Sequence, residues 1–207
     1  MSIAERFMGI PTGNICDCNE LEGAMSSAIM PLHYKMKMAG VAMTVECQPG
    51  DNLTIHKAIH IAEPGTVLVI NCKGYTDRGV FGEMFATSCV ARGIVGVVID
   101  GGCRDKEDLI EMNFPTFVRG VNPNGTRKEV CGEINIPISC GGIIVNPGDI
   151  IIGDADGVVC IRKKDAEAVL EKSQAKKEKE IVMKPQLAAG KTTVELMGFG
   201  KKLGLED

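Results

Sequence analysis

Tryptophan is absent from this chain of 207 residues, and aromatic residues make up only 4% of it. A protein that reads single-stranded nucleic acid by stacking bases needs more rings than that. Positive charge is also short: 23 Lys and Arg face 27 Asp and Glu, a net charge of −4. That balance argues against binding through neutralised phosphates, so no nucleic-acid partner is expected. No apolar run reaches the length of a membrane-crossing helix, and no membrane partner is expected. The opening MSIAERFMGIP lacks the apolar stretch of a secretory leader. The nine cysteines form an odd set with no Cys-x-x-Cys and no Cys/His cluster at zinc spacing. Reduced thiols packed as small hydrophobes, in a cytoplasmic protein, are the expectation.

What the chain does have is glycine, 25 residues, and an aliphatic interior within a hydrophobic share of 44%. This suits one domain over 1–207 with many tight turns. Strand-like and helix-like runs alternate through the middle: Ala39–Cys47 as strand, Leu53–Ala62 as helix, Thr66–Cys72 as strand, Val80–Arg92 as helix and Ile94–Ile99 as strand. The second helix should turn Val80, Met84, Phe85, Cys89 and Ala91 inward. TVLVINC and IVGVVI are apolar on both faces, the pattern of strands covered from both sides. A short helix over Asp105–Met112 follows. Beyond Pro115 come short strands over Pro115–Arg119, Ile134–Cys140, Gly142–Val145, Asp149–Gly153 and Val158–Arg162, cut by Asn-Pro-Gly-Asp and Asp-Ala-Asp-Gly turns. Asp165–Glu180 is a charge-laced helix, and Thr193–Met197 begins another. The expected class is α/β: a layered β/β/α domain with a central βαβ core and a mixed sheet.

The segment GEMFATSCVARGIVGVVIDGGCRDKED, 82–108, carries the most chemistry. The strand Ile94–Ile99 delivers a glycine-rich loop at its carboxyl end, where open α/β sheets bind ligands. On that loop a guanidinium and a carboxylate stand side by side, Arg104-Asp105. One helix earlier, Gly79–Glu83 opens a helix whose first amides lack intrahelical partners. If the two strands are parallel neighbours, that opening lies beside Arg104. Amide donors, a fixed cation and hard oxygen ligands together suit a small 2-oxo acid. The plainer reading makes Arg104-Asp105 a solvated turn with Asp105 capping its short helix.

Glu83, then twenty intervening residues, then Arg104-Asp105 within RGIVGVVIDGGCRD, closely resembles the RraA-like family. That family includes the regulator of ribonuclease activity A and the 4-hydroxy-4-methyl-2-oxoglutarate/4-carboxy-4-hydroxy-2-oxoadipate aldolases. Arg104-Asp105-Lys-Glu-Asp108 is similar to the Arg-Asp, two residues and acid of related oxaloacetate decarboxylases. The resemblance runs from about Asn14 to Gly190. It implies a swivelling-type β/β/α fold and a class II lyase that releases pyruvate from 4-hydroxy-2-oxo acids and decarboxylates oxaloacetate. Arg104 would hold the keto oxygen, and Asp105 would anchor Mg²⁺ or Mn²⁺. The segment Gly82, Glu83, Met84 and Phe85 would grip the substrate carboxylate. Where the aldolases carry Asp, this chain has Glu83. A further catalytic acid from a neighbouring subunit's C-terminal helix, about 165–183, falls at Glu180 or, two residues earlier, Glu178. The resemblance also implies a homo-oligomer, a trimer or a dimer of trimers. The alternative within the same family is a non-catalytic regulator that binds a ribonuclease.

Other candidates carry less. His56 and His60 lie four apart on a helix but lack the Glu of a zinc-protease helix. Cys16-Asp17-Cys18 is a possible soft metal pair, and Cys103 beside Arg104 a possible activated thiol. Asp154-Ala-Asp156-Gly157 is shorter than a calcium loop and reads as a turn. Asp100 either orients Arg104 or caps its loop.

Overall fold

In the computed structural model, which describes residues 1–20 and 22–205, the run Thr66–Asn71 is buried at all six positions, as a strand covered on both faces must be. It forms one of nine strands among the described residues: β1 (Met30–Pro31), β2 (Met38–Glu46), β3 (Thr66–Asn71), β4 (Gly96–Cys103), β5 (Thr116–Val121), β6 (Ile138–Cys140), β7 (Ile143–Val145), β8 (Ile150–Asp154) and β9 (Gly157–Ile161). Seven of them make one mixed sheet in the order β1-β5-β4-β3-β2-β8-β9. Its centre, β2 to β5, is parallel, while β1, β8 and β9 join antiparallel to their neighbours. The helices are α1 (Thr12–Cys18), α2 (Leu53–Ile61), α3 (Glu83–Ala91), α4 (Lys106–Glu111), α5 (Ala166–Ala188), α6 (Thr193–Met197) and α7 (Gly200–Leu203).

Alternation along the central strands divides the core in two. Leu68, Ile70, Val97 and Ile99 pack under α2, α3 and α4 through Ile55, Ile59, Ala86, Cys89 and Leu109. Val67, Val69, Val98 and Phe117 pack against the β6–β7 hairpin through Ile138, Cys140 and Val145. Helices, sheet and hairpin are thus three layers, the α/β arrangement expected. A third cluster joins α1 and α5 to β8 and β9 through Ile15, Ile150, Ile161, Val169 and Leu170.

Five differences from the sequence reading have physical causes. Helix α3 begins at Glu83 rather than Val80, because Val80 donates to the Gly102 carbonyl and Phe81 accepts from the Arg104 amide, drawing this segment alongside β4. The buried positions of α3 are therefore Ala86 and Cys89, with Phe85 half-buried; Met84 and Ala91 are exposed. Strand β4 runs on through Gly101 and Gly102 to Cys103 with a shifted register against β5. A Cβ on Gly101 would stand 2.7 Å from the Cys72 Cβ, and one on Gly102 2.6 Å from the Arg78 carbonyl oxygen. Those glycines mark close approach rather than a loop. Only Ile138–Cys140 of the expected Ile134–Cys140 strand pairs regularly, since Pro137 lacks an amide to donate. Helix α5 continues past Glu180 to Ala188, anchored by buried Met183. Helix α1 was not anticipated. Its start is held by Asp154, which accepts from the Thr12 amide at 2.9 Å and the Thr12 hydroxyl at 2.6 Å, a partner 142 residues away.

Candidate active site

Three strand-to-helix junctions meet at the carboxyl ends of β2, β3 and β4, and a cavity of about 300 Å³ opens between them. Asn52 and His56 come from the β2–α2 junction. Gly79, Val80, Phe81, Gly82, Met84 and Phe85 come from the approach to α3, and Arg104 and Asp105 from the end of β4. Gly125, Thr126 and Lys128, in the segment after β5, close the remaining side.

Asp105 stands at the start of α4 with φ 54°, a left-handed conformation that Asp tolerates better than most side chains. Its carboxylate makes no bond to its own helix. Instead Oδ2 accepts from the Glu83 amide at 3.1 Å, across 22 residues, and so covers the opening of α3. Arg104 Nε lies 3.4 Å from the same Oδ2. The Arg104 side chain is 46% exposed, lines the cavity and makes no other ion pair among the described residues. The amides of Gly82 and Met84 have no hydrogen-bond partner among the described residues. A carboxylate placed there would meet free donors at the positive end of a helix. Gly82 has to be glycine for this to form, since a Cβ there would lie 2.2 Å from Asp105 Oδ2.

The expected residues Gly82, Met84, Phe85, Arg104 and Asp105 therefore surround one cavity. Glu83 contributes its amide, while its exposed side chain is outside the lining. Within one chain, Glu180 is half-buried on α5 and Glu178 exposed, and neither lines the cavity. Asp100 serves neither role open to it from sequence. It pairs with Arg119 Nε at 2.6 Å and accepts from the Gly141 amide at 2.8 Å, tying β4 to β5 and the hairpin. Cys103 is buried, and burial pushes its thiol up to about 12, so it stays protonated at neutral pH. The described residues include no group of three His, Cys, Asp or Glu side chains poised around a metal, at Cys16/Cys18 or at His56/His60.

The wall formed by Asn52, His56 and Lys128 was missed. The only signal in the sequence was position: the residues after Pro49-Gly50-Asp51 end a parallel strand beside two others. Asp51 secures this wall. Its buried carboxylate accepts from the amides of Leu53, Glu129 and Val130 at 2.9, 2.8 and 3.1 Å, stapling the segment that carries Lys128 to the start of α2. Burial raises this carboxyl, but the three amides and nearby Lys128 outweigh it and hold it below its ordinary value. A carboxyl lowered in the folded state stabilises above its unfolded pKa and loses that contribution as pH falls through the folded value. Asp51→Asn is therefore expected to cost roughly 1–2 kcal/mol at pH 7, the scale of a disrupted buried hydrogen bond. The deficit should shrink below about pH 4, near the ordinary carboxyl value. Urea melts at both pH values check this.

A cavity at the carboxyl ends of the parallel strands, lined by an Arg-Asp pair and an open helix start, defines the α/β class to which this protein belongs. The RraA-like family model, described as Aldolase/RraA, matches residues 12–160, and the chain belongs to that family. A protein of Halalkalibacterium halodurans named "Putative 4-hydroxy-4-methyl-2-oxoglutarate aldolase" is 42% identical over 171 residues, 83% of this chain and 81% of the relative. An uncharacterized protein from Pseudomonas syringae superposes with a TM-score of 0.86 at 25% identity, covering 94% of this chain and 92% of the other. The RNA-processing inhibitor RraA from Thermus gives 0.68 at 25% identity, covering 74% of this chain and 93% of its own.

Proposed function

We propose that this protein is a divalent-metal-dependent carbon–carbon lyase that releases pyruvate from 4-hydroxy-2-oxo acids such as 4-hydroxy-4-methyl-2-oxoglutarate, with oxaloacetate decarboxylation at the same site. The observation that carries this reading is the convergence of Arg104, Asp105 and the free amides of Gly82 and Met84 on one cavity. The name borne by the Halalkalibacterium relative supports it.

Asp105 fits a hard cation: it is the one acidic side chain lining the cavity among the described residues, and its Oδ1 makes no hydrogen bond among them. One carboxylate is enough for Mg²⁺ or Mn²⁺, which keep most of their shell as water and substrate oxygens. When bound there, such an ion supplies Lewis-acid polarisation of a keto carbonyl. The chain's own groups do the rest. The amides of Gly82 and Met84 seat the C1 carboxylate, which orients the keto oxygen toward Arg104. Arg104 stabilises the negative charge left on that oxygen when the C3–C4 bond breaks. Glu83 and Glu180 of a neighbouring copy, both outside the lining within one chain, would hold the water that takes the C4 hydroxyl proton, so this part of the site is completed at the subunit contact. Oxaloacetate loses CO₂ instead and needs no such base. The assembly is accordingly a homo-oligomer, a trimer or dimer of trimers, with α5 at the subunit contact.

The test is pyruvate release from both acids, coupled to lactate dehydrogenase. Dialysis against EDTA is expected to abolish it and added Mg²⁺ or Mn²⁺ to restore it. Full rate in EDTA sinks the metal-dependent reading. No pyruvate from either acid, together with inhibition of a ribonuclease by the purified chain, would favour the regulator the Thermus relative is named for.

A further inference from the structure

The rim of the cavity carries a reactive pair that the cleavage proposed above does not use. Asn124 is the one asparagine in the chain that glycine follows. Asparagine is among the thermolabile side chains, and a following glycine, lacking a Cβ, lets its amide nitrogen approach the side-chain carbonyl carbon. Asn124 and Gly125 are both exposed, in a stretch over 122–126 that belongs to no helix or strand. The Gly125 amide has no hydrogen-bond partner among the described residues, so no protein acceptor competes for that nitrogen. A Cβ built on Gly125 would meet no atom within 4 Å, which leaves room for a ring to close there. The other asparagines are worse placed: Asn122 and Asn146 precede proline, whose nitrogen carries no hydrogen, and Asn14, Asn52 and Asn71 are buried.

The same residue latches the rim. Its carbonyl accepts from the Gly79 amide at 3.0 Å, its Nδ2 donates to the Asp77 carbonyl at 3.0 Å, and its own amide donates to Asn122 Oδ1 at 2.9 Å. Gly79 in turn lies against Arg104, since an added Cβ there would stand 2.6 Å from the Arg104 Cβ. Gly125 and Thr126, next along the chain, line the cavity.

We infer that Asn124-Gly125 is a site of spontaneous covalent modification, at which the latch is converted to isoaspartate. The Gly125 nitrogen bonds to Asn124 Cγ and gives up its proton, the Cγ–Nδ2 bond breaks, and Nδ2 leaves as ammonia. Water then opens the five-membered imide at either carbonyl, giving aspartate at 124 or an isoaspartyl link that routes the backbone through the former side chain. Water is the only co-reactant. Aspartate sets a carboxylate oxygen where Nδ2 had donated to the Asp77 carbonyl, so acceptor faces acceptor and that tie is lost. The isoaspartyl link also lengthens the chain by a methylene and displaces the carbonyl that Gly79 bonds.

The experiment holds the full chain for days in mildly alkaline buffer at body temperature and then digests it with trypsin, which releases 120–127 between Arg119 and Lys128. That peptide is expected to gain one mass unit and divide into two chromatographic species. The more abundant should accept a methyl group from S-adenosylmethionine and an isoaspartyl methyltransferase. Asn124→Gln would have to close a larger ring, and Gly125→Ala has space for its methyl in the fold but crowds the attacking nitrogen. Both should stay largely unmodified over the same period. If 120–127 keeps its mass in the folded chain and gains it only in urea, the fold protects the pair and the inference is overturned. Mass gain confined to other asparagines overturns it as well. Opening of the latch is read by trypsin on the native protein. Aged wild-type chain should be cut after Arg127 several times faster than fresh, and aged Asn124→Gln no faster. Equal cutting of fresh and aged wild type, with 120–127 converted, would remove the loosened rim from the proposal.

Discussion

Arg104→Ala should reduce pyruvate formation from either oxo acid by roughly 10³-fold at saturating metal, the scale of removing a group that stabilises transition-state charge. The fold should hardly notice. The side chain is 46% exposed and, among the described residues, pairs with a charge only at Asp105, so its contribution to stability is that of a surface ion pair, at most about 1 kcal/mol. An unchanged melting curve beside a collapsed rate would separate chemistry from folding. Arg104→Lys should recover only part of the loss, because a single ammonium cannot present the planar fork of donors that a guanidinium offers. The lactate dehydrogenase assay reads both variants. Retention of a tenth or more of the wild-type rate in the alanine variant would remove Arg104 from the mechanism.

Gly82→Ala is the second large effect, through a different cause. Its backbone is extended, so alanine meets no dihedral penalty there. The cost is contact: the new methyl would lie 2.2 Å from Asp105 Oδ2 and 3.2 Å from Arg104 Cγ. The carboxylate has to leave the Glu83 amide, carrying the proposed metal anchor with it. A loss of roughly 10²-fold in kcat/KM is expected, as for an ångström-scale misplacement of a reacting group. Half-maximal activation should also require more Mg²⁺. Asp105→Asn, which keeps the geometry but not the charge, should raise the Mg²⁺ requirement without the steric defect. Wild-type Mg²⁺ dependence in both variants would show that Asp105 does not anchor the ion.

How far the chain could be read before folding depended on the range of the interaction concerned. Thr66–Asn71 and the start of β4 declared themselves because their β-branched runs are apolar on both faces, a local property. Arg104-Asp105 was visible because glycines 101 and 102 precede it at the end of such a strand. The start of α3 was misplaced because hydrogen bonds to Gly102 and Arg104, twenty or more residues away, override helical periodicity at Val80. Helix α1 was missed because its cap is Asp154. The Asn52–His56–Lys128 wall was hidden for a related reason. Lys128 lies between β5 and β6 in sequence, yet Asp51 draws its segment to the far side of a cavity whose other half comes from the approach to α3 and the end of β4.

That staple has an evolutionary consequence. One half of the cavity hangs from β4, buried along its whole length; the other includes a segment after β5 tied to the start of α2 by the Asp51 carboxylate and by backbone bonds of Arg127 with Gly50 and Asn52. Side chains at 125–128 can therefore be exchanged without displacing Arg104 or Asp105, which separates the part of the cavity open to variation from the part fixed by the sheet.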